Sequence, residues 1–276
     1  MWQVGIPGLY PDRLMLIVAI VATWLVAPRW AWRLERIPPR RLLVALAMLT
    51  VPTFVVGHVQ YLRNYPLLAA AGGQATLWLP WRGFHAGGAV IGLVAAIPVA
   101  CLVTRIHPGR LMDALTPSFG LGIALARVGC FLRGCCHGAR CDWPWCLRFP
   151  PGSPSQDMHA GLGWIPTGSW SLPVHPIGLY FAAAGCAILV LGLWLSPVKR
   201  YQGQVGLIAL TLFGVSSYGI ELLRQRTDLT PYVLGTVPQL QVVGLAIAAV
   251  GAGGLVLCEV GHRVWSLGRR LWPAAA

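Results

Sequence analysis

The chain has 276 residues, 56% of them hydrophobic and only 11% charged, against roughly 25% charged in an ordinary soluble domain, which excludes a soluble globular protein. Its formal net charge of +13 is dispersed between apolar runs and not gathered on a soluble domain, so the basic residues point to membrane topology and anionic lipid, not to a nucleic-acid partner. Thirteen Trp and seven Tyr suit aromatic belts at the two membrane interfaces.

A spanning helix needs about 20 mostly apolar residues, and the sequence predicts seven, with cores near 13–28, 42–60, 86–104, 114–131, 174–195, 204–223 and 237–258. The expected fold class is an all-α integral membrane protein, a single polytopic domain over residues 1–276. Acidic Asp12 beside Arg13 before the first run, with no small-residue cleavage site after it, argues against a cleavable signal peptide. Short connections after the first, third and fifth helices carry Arg29, Arg33, Arg36, Arg40 and Arg41, then Arg105 and Arg110, then Lys199 and Arg200, and the tail adds Arg263, Arg269 and Arg270. By the positive-inside rule these are cytoplasmic, which puts the amino terminus on the periplasmic side and the carboxy terminus in the cytoplasm. The longer connections, 61–85, 132–173 and 224–236, then face outward, and the Pro-rich 132–173 segment is long enough to act as a lid.

Gly87, Gly88 and Gly92 open the third helix with small residues, which allow close approach of another helix or of lipid. The fourth run ends in Arg127-Val128-Gly129-Cys130-Phe131-Leu132-Arg133-Gly134-Cys135-Cys136-His137-Gly138, a cationic, cysteine-rich end to an apolar helix and so a candidate site. On a continuing helix Arg127 and Arg133 would not share a face. A break at Gly134 is expected to let both guanidiniums converge on one anion, for which the planar fork of arginine is suited; snorkelling to the interface is the alternative. His85, His137 and His175 fall near the same membrane face, either as proton acceptors or as interfacial histidines tied to backbone. Cys101, Cys186 and Cys258 lie inside apolar runs as packing residues, whereas Cys130, Cys135, Cys136, Cys141 and Cys146 fall in one short segment. With His137 these offer zinc ligands, but without a paired Cys-x-x-Cys; a Cys141–Cys146 disulfide is the competing reading. His175-Pro176-Ile177-Gly178-Leu179-Tyr180 opens the fifth helix, and Glu221 and Arg224, at i and i+3, can pair at the end of the sixth.

This order of motifs resembles bacterial prolipoprotein diacylglyceryl transferases: a Gly-Gly helix start, Arg127-Val-Gly129-Cys-Phe with Gly134 and Gly138 following, His175-Pro-x-x-Leu-Tyr, then Glu221-x-x-Arg224. The similarity runs from about residue 80 to 245 and takes in Asp113, Pro117 and Gln239. It implies seven helices in the bacterial inner membrane and transfer of the diacylglyceryl group of phosphatidylglycerol to the lipobox cysteine of a preprolipoprotein, with no metal or cofactor. The expected roles are that Arg127 binds phosphate, His85 acts as base or head-group contact, Glu221 and Arg224 shape the site, and Gly129, Gly134 and Gly138 admit lipid; Arg133, which the family does not share, is expected to add auxiliary anion binding in place of the arginine lost at Ser217. The chain departs from the family at several points. His85 is shifted by one residue from the family's Phe-His-Gly-Gly, Arg133 replaces an asparagine, and Phe213 and Ser217 replace a tyrosine and an arginine. The Arg-Trp-Tyr-Gly motif near the first helix is absent. These departures leave two alternatives, a phospholipid-dependent transferase with another acceptor and a non-catalytic lipid-binding or transport protein.

Overall fold

A computed structural model describes residues 11–64, 85–226, 232–233 and 237–271; most of the 61–85 connection and part of 224–236 lie outside the described residues. Helices α1 (Pro11–Glu35), α2 (Pro39–Asn64), α3 (Ala86–Thr104) and α4 (Pro108–Arg133) precede a short α5 (Pro154–Gly161). There follow α6 (Ile177–Leu195), α7 (Gln204–Leu222), a two-stranded ribbon of β1 (Tyr232–Val233) and β2 (Val237–Pro238), and α8 (Gln239–Leu271). All but α5 are long and apolar enough to cross a membrane, making seven candidate spans among the described residues.

Local chemistry sets the helix limits. The fourth helix starts six residues before its apolar core because the His107 side chain accepts the Gly109 N–H at 3.2 Å and Pro108 occupies the first turn. Prolines 28, 52, 98 and 117 lie inside spanning helices, tolerated where neighbours and local adjustment satisfy the freed carbonyls. The first helix runs past its apolar core to Glu35, carrying Arg29 and Arg33 as its last turns, and stops where Arg36 turns to φ 53°.

The main packed pairs are α1 with α4, α2 with α3, α4 with α6, and α7 with α8. Small residues permit the closest of these. A Cβ on Gly120 would lie 2.4 Å from Leu189 N, and one on Gly185 2.7 Å from Ala124 N, so α4 and α6 meet backbone to backbone. On α3, a Cβ at Gly88 would stand 2.6 Å from Val56 O and one at Gly92 2.4 Å from Pro52 O. Those glycines therefore serve helix packing. Large apolar side chains such as Leu102, Val190 and Leu257 face outward, as helices surrounded by acyl chains require. Cys101 is buried, whereas Cys186 and Cys258 are exposed on their helices and do not pack inside the bundle.

One end of the bundle is pinned by a polar knot. Fully buried Asp113 on α4 accepts from Lys199 at 2.7 Å and from the Gly203 and Gly206 N–H groups at 2.8 Å each. Lys199 also pairs with Glu35 at the end of α1. Asp113 thus caps the N-terminus of α7 from a neighbouring helix, where the helix dipole favours a carboxylate. Because helices alternate in direction, the end of α4, the start of α6 and the end of α7 meet at the opposite end.

Candidate active site at the α4–α6–α7 helix ends

Gly134 ends α4 in the left-handed region (φ 72°), its N–H returning to the carbonyls of Cys130 and Phe131, the conformation glycine adopts at least cost. Cys135 N–H then bonds Cys130 O at 3.2 Å, so the chain folds back over its own last turn. Residues 138–140 are held on both sides. Gly138 N–H donates to His175 O at 2.9 Å, Ala139 N–H to Leu223 O at 2.7 Å, and His175 N–H to Ala139 O at 3.1 Å. Three motifs far apart in sequence become one place by these backbone bonds: the Arg127 segment, the His-Pro start of α6 and the Glu221–Arg224 end of α7.

Arg127 lies over the Phe181 ring of α6, 4.3 Å from its centroid, a cation–π contact that fixes the guanidinium without neutralising it. Arg224 pairs with buried Glu221 at 3.4 Å. Gln241 on α8 donates to the Glu221 backbone carbonyl at 3.2 Å. Arg127 and Arg224 both act electrostatically on the Cys136 thiol.

The five clustered cysteines separate into two sets. Cys141 and Cys146 form a disulfide, Cα–Cα 6.1 Å. It lies beside a surface cavity of about 400 Å³ lined by Arg140, Asp142, Trp143 and His175. Cys130, Cys135 and Cys136 are free, with their sulfurs all within 4.8 Å of one another. Hydrogen bonds from Cys130 and Cys135, reinforced by Arg224 and Arg127, hold the Cys136 thiol well below its ordinary range. Among the described residues, neither buried ring nitrogen of His137 finds a hydrogen-bond partner; burial, and then His159 with its ring centroid 5.8 Å away, push its pKa down to about 4. His159, fully buried, accepts the Leu172 N–H at Nδ1, 3.2 Å away, and burial lowers its pKa.

Several sequence expectations are corrected. The helix breaks at Gly134 as expected, but the break does not bring Arg133 to Arg127, because Arg133 still belongs to the last turn of α4. Its guanidinium turns to α1 and pairs with Asp12 at 2.6 Å. Gly129, Gly134 and Gly138 do not face lipid. A Cβ at Gly129 would meet Met15 Cβ at 2.5 Å, one at Gly134 the Phe149 ring at 2.9 Å, and one at Gly138 His175 Cβ at 2.5 Å. Each is filled by protein. His85 caps α3, its Nδ1 accepting the Gly87 N–H at 3.2 Å while its own N–H donates to Gly57 O on α2; any base role falls to Nε2. His175 shares a 3.1 Å hydrogen bond with Tyr180.

Sequence reasoning grouped the five cysteines without separating the three-thiol cluster from the disulfide pair, and it missed the His137–His159 pair. A spacing of five residues across a helix-ending glycine is the signal that would have found the first. The second joins positions whose proximity only the fold of 134–176 creates.

The fold and site together define a polytopic membrane protein that gathers surplus cationic charge and thiols where three helix ends meet, an arrangement suited to an anionic lipid head group. Over residues 13–257 the chain matches the prolipoprotein diacylglyceryl transferase family, and it belongs to that family. Among its relatives, a phosphatidylglycerol–prolipoprotein diacylglyceryl transferase of Chromohalobacter salexigens is 28% identical over 92% of this chain and 86% of its own length. Proteins of the same name from Pseudomonas putida and Pseudomonas fluorescens are 29% identical over 88% of this chain and 86% of the relative, and 30% over 76% and 74%, respectively.

Proposed function

We propose that this protein transfers the diacylglyceryl group of phosphatidylglycerol to the thiol of a preprolipoprotein lipobox cysteine, releasing glycerol phosphate. The observation that carries the reading is the strap of residues 138–140, which ties the end of α4 to α6 and α7 and puts Arg127 and the Glu221–Arg224 pair at one helix-end junction. In the reaction the acceptor thiolate attacks the glyceryl carbon and the carbon–oxygen bond to phosphate breaks. The leaving phosphate gains a negative charge, and guanidiniums in a poorly hydrated site stabilise that charge as it develops.

Arg127 takes the phosphate, Arg224 stabilises the departing oxygen, and Glu221 orients Arg224. A head-group contact for His85 would use Nε2. The enzyme lies in the bacterial inner membrane with its amino terminus outside, as the basic residues of the short connections favour, so the site opens on the outer face. There the disulfide-linked 132–173 segment serves as its lid.

Buried Ser217 and Phe213, whose ring packs edge-on against Phe119 at 5.5 Å, favour one second reading, in which the donor is kept and the acceptor differs. Purified protein incubated with labelled phosphatidylglycerol and a lipobox peptide decides between the two. Thioether-linked diacylglycerol on the peptide cysteine, read by mass spectrometry, is the expected result. Donor consumption with an unmodified peptide would replace the first reading with the second, and no consumption would refute both.

A further inference from the structure

We infer that Cys130, Cys135 and Cys136 form a tri-thiolate site for a zinc ion whose open fourth position takes the acceptor thiol; the second half rests on the transferase reading. The three sulfurs already lie within 4.8 Å of one another. Thiolates at Zn–S distances of about 2.3 Å around a tetrahedral ion stand about 3.8 Å apart, so closure requires shifts of about 1 Å or less. The geometry is built into the chain. Cys130 occupies the last turn of α4, the left-handed cap at Gly134 reverses the backbone, and Cys136, itself at φ 54°, returns its side chain towards Cys130.

Two further observations point to a ligand. Cys141 and Cys146 are joined as a disulfide while three thiols in mutual reach, only a few residues away, are free. A bound thiophilic cation keeps such thiols reduced. The second observation is charge. Three thiolates around Zn²⁺ carry one net negative charge, and a fourth, incoming thiolate makes it two. Arg127 and Arg224, both acting on Cys136, carry two positive charges, of which Glu221, paired with Arg224, offsets one; the charge that remains balances the zinc with its three thiolates.

Three protein ligands and one open position are the signature of a catalytic zinc site, as a closed site would use four. A thiol that binds there loses its proton to solvent and remains a nucleophile. The zinc-bound acceptor sulfur then attacks the glyceryl carbon of the donor, a carbon–sulfur bond forms, and the carbon–oxygen bond to phosphate breaks. Glycerol phosphate leaves with the electron pair, and the neutral thioether dissociates from the metal. Nothing is oxidised or reduced.

The test uses full-length protein purified without chelator. About one zinc per chain is expected by elemental analysis, falling at least tenfold in Cys136→Ser. Because that variant can fail to fold, the second measurement is made on the unaltered chain with cobalt in place of zinc. Sulfur-to-cobalt charge-transfer absorption is expected, and it should intensify on addition of a lipobox peptide but not of the same peptide with serine for cysteine. Three alkylatable thiols with no metal, a disulfide among the three, copper in place of zinc, or a spectrum indifferent to the peptide would each overturn the inference. Transfer assays run in parallel separate the two readings. Undiminished transfer by metal-free protein removes the zinc and leaves the transferase, whereas peptide-responsive cobalt with no transfer removes the proposed reaction and leaves the site.

Discussion

Arg133 is the position where sequence and structure disagree most sharply, and Arg133→Asn tests which is right. The residue sits on the last turn of α4, bonded at 2.6 Å to Asp12 on the first turn of α1, with side-chain exposures of 31% and 20%. An ion pair this exposed is worth about 1 kcal/mol once the desolvation of both charges and screening are counted. In a chain of this size that corresponds to about 2–4 °C in melting temperature. If Arg133 instead contacted the leaving phosphate, its removal would lower turnover by about 100-fold or more, as loss of a donor to developing charge does. The expected outcome is a melting temperature lower by a few degrees and a kcat/KM within about threefold of wild type in a detergent assay with labelled phosphatidylglycerol. Arg127→Asn, by the same assay, should lose about 100-fold or more while melting normally. A large loss of activity in Arg133→Asn with an unchanged melting temperature would refute the assignment of Arg133 to the α1–α4 seam.

Asp113→Asn leaves Lys199 with only Glu35 and weakens two N-terminal contacts of α7; breaking so buried a pair should destabilise by about 3 kcal/mol, read as lower yield and earlier thermal aggregation, with near-normal activity in the surviving protein. Gly129→Val should lower the melting temperature, because its first added carbon would lie 2.5 Å from Met15 Cβ and overpacking costs about 1–3 kcal/mol; a variant that melts like wild type would return Gly129 to the lipid face. Burial lowers the His159 pKa below 6.5, so the folded protein holds the ring neutral and the unfolded chain binds the proton more readily. Stability should therefore be level above about pH 7 and decline as pH falls below 6.5, and His159→Gln should flatten that decline in thermal scans across pH; an equally steep decline in the variant would refute the assignment.

The seven spans are legible in the sequence because the membrane imposes a length and a composition that few other constraints mimic. Arg127 is legible for a related reason, since a guanidinium next to an apolar helix needs a purpose. The assembly of the site is not. It is made by backbone hydrogen bonds of Gly138 and Ala139 to His175 and Leu223, and backbone groups leave no signature in side-chain types. Arg133 was misjudged for the opposite reason. Its partner Asp12 is visible in the sequence, but nothing local says that α1 lies against the end of α4. The glycines show the same ambiguity, since a small residue admits a lipid or a neighbouring helix equally well. Only the positions of Met15, Phe149 and His175 decide which one fills the space. The cysteines read as one set of five until the fold divides them into a disulfide and a cluster.

Charge accounting distinguishes the two polar clusters, one at each end of the bundle, and supports placing the proposed chemistry at one of them. At the α1–α4–α6 end, Lys199 faces two carboxylates, Glu35 and Asp113, and Asp113 is further satisfied by two N–H groups. No cationic surplus remains in that knot, and it is structural. At the other end the Arg133–Asp12 pair is neutral and peripheral, while Arg127 and Arg224 share the single carboxylate of Glu221. Arg127 is held by an aromatic face, a contact that leaves its charge intact. An uncompensated guanidinium at the end of a spanning helix is costly unless an anion arrives to meet it. The bundle carries that cost at the junction where the 138–140 strap joins the three motifs, and this surplus is what supports the proposal that a phosphate is bound there.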